Sequence, residues 1–293
     1  MELEARLRRH VQTLADDIGE RNAWNPEALA AAIEYIRKEF RAAGYEPAIQ
    51  TYPVPELRRA PAFTGQNISA TVPGRYSQAP VLVVGAHYDT EWNTPGADDN
   101  ASGVAALLEL AARLKPHAGG AELRFIAFGT EEQGFGSDHM GSFHCARALK
   151  EEGREVLGML SLEMLGFYSD EPGSQKYPPL LSLFYPDRAN YISVVSNLRS
   201  RGFLKRVRES FQPPGGLRVI TAALPSIFSQ ITLSDHYCFW RQGFPAAMVT
   251  DTAFLRNEHY HQPTDTPDRL DYARLADTVL GLERTIVGLS RSG

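Results

Sequence analysis

The sequence predicts a three-layer α/β/α domain around a mixed, mostly parallel sheet, and three observations carry that prediction. Residues 81–84 (VLVV) and 123–128 (LRFIAF) are continuous apolar runs bounded by Pro and Gly, which suits strands covered on both faces. Between them, residues 101–115 read as a helix with Val104, Leu107, Leu108 and Ala111 on one face, the spacing of a βαβ unit. No internal repeat or low-complexity linker divides the 293 residues, so a single domain over 1–293 is predicted.

The remaining elements follow in order. Residues 2–18 form an amphipathic helix. Asn25 caps a second helix with Pro26 at its first position, and Leu29, Ile33, Ile36 and Phe40 fall at helical spacing before Gly44 ends it. Residues 48–54 and 67–72 read as strands on either side of a Pro- and Arg-containing stretch. After the strand at 123–128 come Gly129-Thr130-Glu131-Glu132, a helix over 140–151, and a strand over 156–162 that runs into Glu163. Residues 167–187, rich in Pro, Gly, Tyr and Ser, read as a long loop over a site. A strand (191–196), a helix (197–211) and a short strand (218–221) precede Ser234-Asp235-His236 and the aromatics Tyr237, Phe239 and Trp240. A strand over 245–250, the segment 258–266 and a helix over 268–289, with Leu275, Val279, Leu282 and Ile286 on one face, close the chain.

Composition narrows the function. A net charge of −5 with no basic run longer than a pair argues against a nucleic-acid surface. No apolar stretch approaches the ~20 residues of a membrane span, and the amphipathic start is unlike a signal peptide. A cytoplasmic location is expected, or secretion if a leader has been removed. Cys145 and Cys238 fit neither a CxxC motif nor a disulfide framework and are expected to be buried thiols. There is no GxSxG and no HExxH, which disfavours a serine hydrolase and a zincin.

The chemistry gathers at strand ends. His87 and Asp89 end the strand at 81, two positions apart and so on one side, where Asp89 can steady the His87 ring. Asp98 and Asp99 stand at the entrance of the following helix, while Glu131-Glu132 and Glu163 end two further strands. In open α/β sheets that edge is where ligands bind. His, Asp and Glu without thiolate suit zinc first, with cobalt or manganese as substitutes.

The HxD at 87–89, the GADDNASG at 96–103, the paired Glu131-Glu132, the acid at 163 and His261 before Asp265-Thr266 resemble the co-catalytic dizinc aminopeptidases (peptidase family M-twenty-eight, clan MH). The resemblance spans 81–266 and implies a zinc exopeptidase that removes the amino-terminal residue of peptides with a free amino terminus, without nucleic-acid or membrane partners. Carried over, it makes His87 and Glu163 ligands of one zinc, Glu132 and His261 ligands of the other, and Asp99, three residues before Ser102-Gly103, the bridge. Glu131 becomes the general base, and Asp89 and Asp265 orient His87 and His261. A cis Asp99–Asn100 peptide is implied as well. His236, Tyr237, Phe239 and Trp240, together with the 167–187 loop, are expected to line the substrate pocket. Two features depart from the family pattern: Glu163 stands where Asp is usual, and Gln133-Gly134-Phe135-Gly136-Ser137 replaces the usual Gly-Leu-x-Gly-Ser. Two other readings are a glutaminyl cyclase, which shares this scaffold and needs only the zinc at Asp99, Glu132 and His261, and a non-catalytic relative. The second would be expected to lack ligands, and none is missing.

Overall fold

Strand β3 (Val81–His87) is buried at all seven positions, so it requires neighbours on both edges and helices on both faces. The computed structural model, which describes residues 2–57, 60–117, 119–177 and 185–291, supplies both. Its other strands are β1 (Ala48–Val54), β2 (Phe63–Val72), β4 (Glu122–Phe128), β5 (Val156–Glu163), β6 (Tyr191–Asn197), β7 (Arg218–Leu224) and β8 (Ala246–Thr250). They form one sheet in the order β1-β2-β4-β3-β5-β8-β6-β7. The central four, β4, β3, β5 and β8, run parallel. Antiparallel pairings join β1 to β2, β2 to β4 and β6 to β8, and β7 lies parallel to β6 at the far edge. The α/β fold class is therefore as the apolar runs predict.

The helices are α1 (Glu2–Gln12), α2 (Pro26–Ala42), α3 (Gly103–Leu114), α4 (Glu131–Gly134), α5 (Gly141–Glu151), α6 (Arg201–Ser210), α7 (His236–Arg241) and α8 (Tyr272–Ser290). Side chains alternate across β3, and the two resulting sets meet different helices. Leu82, Val84 and Ala86 pack with apolar residues of α1, α2, α3, α6 and α8. Val81 and Val83 pack on the opposite face with Cys145, Ala146 and Leu149 of α5 and Phe239 of α7. Both cysteines are free and buried.

Local signals explain most boundaries. The Asn25 side chain accepts the Ala28 amide, and Gly44, at φ 83°, takes the left-handed conformation that ends α2. The first helix continues past Gln12 as a wider turn over Thr13–Ile18. Two elements differ from expectation. β2 starts at Phe63 and pairs with β1 from Phe63 to Ser69. The aromatic run after Asp235 coils into α7, a helix too short to reveal an apolar face by periodicity.

Entry into α3 is tight. A Cβ added at Gly103 would lie 2.3 Å from Asn100 Oδ1 and 2.5 Å from the Leu162 carbonyl oxygen. Gly103→Ala is therefore expected to destabilise the fold by about 1–3 kcal/mol, the usual cost of forcing atoms into a filled interior. Urea unfolding measures this; an unchanged midpoint would mean that the loop can yield at this point.

Candidate metal centre

Four parallel strands deliver their carboxyl ends to one edge, and the chemically distinctive side chains lie there. His87 is the last residue of β3 and Glu163 the last of β5. Glu131 and Glu132 open α4 just beyond β4, after Thr130 turns the chain in the left-handed region at φ 63°. Asp99 sits in the turn before α3, and a cis peptide joins it to Asn100. His261 reaches the group from the segment after β8, also at positive φ (57°).

Asp99 spans the two histidines. Its Oδ1 is 3.3 Å from His87 Nε2, and its Oδ2 is 3.2 Å from His261 Nε2. Each histidine has a second acid: Glu163 Oε1 lies 3.5 Å from His87 Nε2, and Glu132 Oε2 lies 3.3 Å from His261 Nε2. Ligands about 2.0–2.2 Å from a tetrahedral ion stand roughly 3.3–3.6 Å from each other, so each of these spacings matches one edge of a coordination polyhedron. The atoms of His87, Asp99 and Glu163 also lie within 4.8 Å of one another, and on the other side Asp99 and Glu132 each approach His261. Both Asp99 oxygens are buried without a hydrogen-bond donor, and His261 Nε2 likewise makes no hydrogen bond. Buried acceptors left this way are costly unless a cation occupies the space between them. The donor set fits zinc.

The surrounding residues hold these ligands in place. Asp89 lies beside His87 as expected, its Oδ1 3.8 Å and its main-chain oxygen 3.1 Å from His87 Nδ1, and its carboxylate also accepts the amides of Glu131 (3.1 Å) and Glu132 (3.0 Å). Asp265, expected beside His261, instead accepts the amides of Asp98 (2.9 Å) and Asp99 (3.1 Å) and so fixes the bridging loop. Asn100 ties that loop to β5 by donating to the Leu162 carbonyl and accepting from the Met164 amide. Ser234 donates to Glu163 Oε2 at 2.6 Å.

Sequence reasoning missed three participants. Arg21 is fully buried and donates to the carbonyls of Tyr88, Pro95 and Gly96, joining the HxD segment to the bridging loop. Nothing marks it locally except an arginine before a capping motif. Tyr260 stacks on His261, with ring centroids 3.7 Å apart, and its place directly before the histidine was the available signal. Ser234 could have been read from its position before Asp235-His236.

Burial raises Glu131 well above the usual carboxylate range, reinforced by Glu132 and Glu163 against the pull of His87. Burial also raises Glu132, to about 8, with Asp99 adding to the shift. At Asp99 burial pushes upward, but His261 and His87 outweigh it and hold the carboxyl below its ordinary value. Burial opposes charge on His261, yet Asp99 and Glu132 lift it to about 11.

The expected pocket residues lie elsewhere. α7 turns Phe239 into the core, the fully buried His236 ring contacts the Ile231 carbonyl through Nε2 (2.7 Å), and Trp240 donates to the Ala246 carbonyl. None of His236, Tyr237, Phe239 and Trp240 lines the cavities at the centre. The apolar cavity that reaches Glu163 and Tyr260 is built from β6, β7, β8 and their flanks, including Tyr177, Tyr191, Val195, Ile220, Met248 and Phe254. Of the 167–187 loop, Tyr177 and Tyr185 line it, and residues 178–184 lie outside the described residues.

The sequence profile of Peptidase family M28 matches residues 67–283. The chain belongs to peptidase family M28. It is 38% identical over 291 residues to the uncharacterized protein YfbL of Escherichia coli (strain K12), covering 94% of this chain and 85% of that one. Leucine aminopeptidase 1 of Arthroderma otae is 28% identical over 242 residues, 77% of this chain and 57% of that relative, so the match spans little more than half of the fungal protein. In fold, this M28 member is similar to a zinc aminopeptidase from Bacillus subtilis (TM-score 0.74, 18% identity, 97% and 94% of the two chains). It is equally similar to the glutaminyl cyclase of Porphyromonas gingivalis (TM-score 0.72, 19% identity, 98% and 99%). Among the described residues no helix is long and apolar enough to cross a membrane.

The raised His261 gives a pH test. With its pKa near 11 in the metal-free protein, the ring carries a proton at pH 7, whereas a metal ligand must be neutral. Zinc addition to metal-free protein at pH 7 should therefore release protons, and zinc affinity should weaken as pH falls. Calorimetry in buffers of different ionisation enthalpy counts them; no release would exclude His261 as a ligand.

Proposed function

We propose that the protein is a zinc-dependent aminopeptidase that hydrolyses the first peptide bond of substrates with a free amino terminus, using two zinc ions per chain. The observation that carries this reading is Asp99, a buried carboxylate with an oxygen directed to each of two histidines, each of which has its own second acid. One metal would be held by His87, Asp99 and Glu163, the other by Asp99, Glu132 and His261. When bound, such a pair supplies a water of lowered pKa and a Lewis acid for the scissile carbonyl.

The chain's own groups perform the rest. Glu131 is buried beside the two histidine–acid pairs, with a carboxylate oxygen within 4.8 Å of ligand atoms of His87 and Glu132, which suits a base that takes the water's proton and returns it to the leaving amine. Its raised proton affinity moves a carboxylate toward the neutral range in which such transfers are efficient. The cavity beside Glu163 is walled by Tyr, Val, Ile, Met and Phe, so the first residue's side chain would be apolar. Its amino group would then lie at the Glu163 end, and the leaving residue would pass over Tyr260 and Phe135.

Glu131→Gln should keep both metals and roughly intact substrate affinity while lowering turnover on the order of 10²- to 10⁴-fold. Glu132→Ala should lose metal along with activity. The reverse pattern, read by metal analysis and steady-state kinetics, would exchange the two roles.

Acetylating the amino terminus of a leucyl peptide should abolish cleavage, while amidating its carboxyl terminus should leave it nearly unchanged. Rapid cleavage of the acetylated peptide would point to an endopeptidase. Cyclisation of glutaminyl peptides with a single zinc, and no release of a first residue, would instead indicate the cyclase reading that the shared scaffold allows.

A further inference from the structure

Besides the proposed base Glu131, another acid at the centre has no part in the set of ligands described so far. Glu91 follows the HxD segment by two residues and borders the cleft that contains Asp99, Glu131, Glu132 and His261. Ligand atoms of Glu91, Glu132 and His261 all lie within 4.8 Å of one another. The Trp92 amide donates to Glu91 Oε1 at 2.7 Å, and Asn22 Nδ2 donates to the Glu91 carbonyl at 3.3 Å, so both its side chain and its backbone are held. The buried Asp99, whose oxygens accept no hydrogen bond, is aimed into the same space through its Oδ2.

We propose that Glu91 is an additional chain ligand on the His261 side of the centre, which makes the two metal positions unequal. The inference rests on the dizinc reading and adds to it. Counting Asp99, which lies 3.2 Å from His261 but outside the trio of Glu91, Glu132 and His261, the His261 side would have four protein donors, whereas the His87 side has three, His87, Asp99 and Glu163. Zinc with four protein ligands forms closed, firmly held sites, and zinc with three keeps a position for water or substrate. The His261 position is therefore the tight one that fills first and exchanges slowly. The His87 position is the open one, and it adjoins the apolar cavity through Glu163.

The test is zinc binding to the full-length metal-free protein in competition with a chromophoric chelator, comparing wild type, Glu91→Gln and Glu91→Ala. Wild type should bind two zinc ions with distinct constants. Both variants should weaken the tighter one by on the order of 10- to 100-fold and leave the weaker one within about twofold. His87→Ala isolates the tight position, and adding Glu91→Gln to it should reproduce the same fold-change. The visible absorption of the one-cobalt form should also change with Glu91→Gln, because a donor is lost from the ion's surroundings. Unchanged zinc constants and an unchanged cobalt spectrum would overturn the proposal. So would a Glu91→Gln effect confined to KM for peptides with Lys in second place, which would make Glu91 a reader of the leaving residue. Wild type that binds no zinc would remove the dizinc reading itself; wild type with two zincs unaffected by Glu91 would remove only this inference.

Discussion

Carboxylates buried together at the end of one sheet are the constraint on which the rest of this structure depends. Asp89, Asp98, Asp99, Glu131, Glu132, Glu163, Asp235, Asp251 and Asp265 are all buried, and an interior of low dielectric tolerates such a crowd only if each charge is answered. Most are answered by the fold. Asp98 accepts the Gly166 amide and the Asn257 side chain, and Asp251 accepts the amides of Phe167 and Ala253. Asp89 and Asp265 each collect two amides from neighbouring loops. Arg21 brings a positive charge under the same loops, lowered by burial to about 10 and still a cation at neutral pH. The carboxylates of Asp99 and Asp235 accept no hydrogen bond, and of the two it is Asp99 that faces the histidines.

Much of this was legible in the chain because strands end where their chemistry begins. An unbroken apolar run needs two covered faces, so 81–84, 123–128 and 156–162 could be read as neighbouring parallel strands, and the acids after them had to share an edge. His87, Asp99, Glu131, Glu132, Glu163 and His261 do converge there. The roles of the supporting residues were not legible, since hydrogen bonds to main-chain amides follow tertiary approach and leave no spacing in sequence. Asp265 stands four residues from His261 and so invited pairing with it, yet its carboxylate meets two amides from a distant loop. The aromatics at 237–240 were misplaced for a related reason. A dense aromatic run there suggested a binding wall, but coiling into α7 placed Phe239 in the core, and the apolar cavity beside Glu163 is walled by residues of β6, β7 and β8 and their flanks.

The same cavity meets the centre at two side chains. Glu163 and Tyr260 border both the apolar cavity and the polar cleft with the histidines, so the two spaces meet at these side chains. Tyr260 lies flat against His261, and Glu163 is held by Ser234, itself paired with Ser161 at 2.9 Å. The extra methylene of Glu163 relative to the family's usual aspartate is thus accommodated by a hydroxyl that fixes where the carboxylate points.

The order of the contacts along the chain bears on how the centre forms. Arg8 of α1 lies over the Tyr272 ring at the start of α8, 3.9 Å from its centroid, and Arg21 binds the loops of the centre from just beyond α1. On the ribosome, Arg21, His87, Asp99, Glu132 and Glu163 emerge well before His261. A nascent chain grown only as far as β5 therefore presents the acids without their second histidine, and the His261 side of the centre can assemble only once the segment after β8 has emerged.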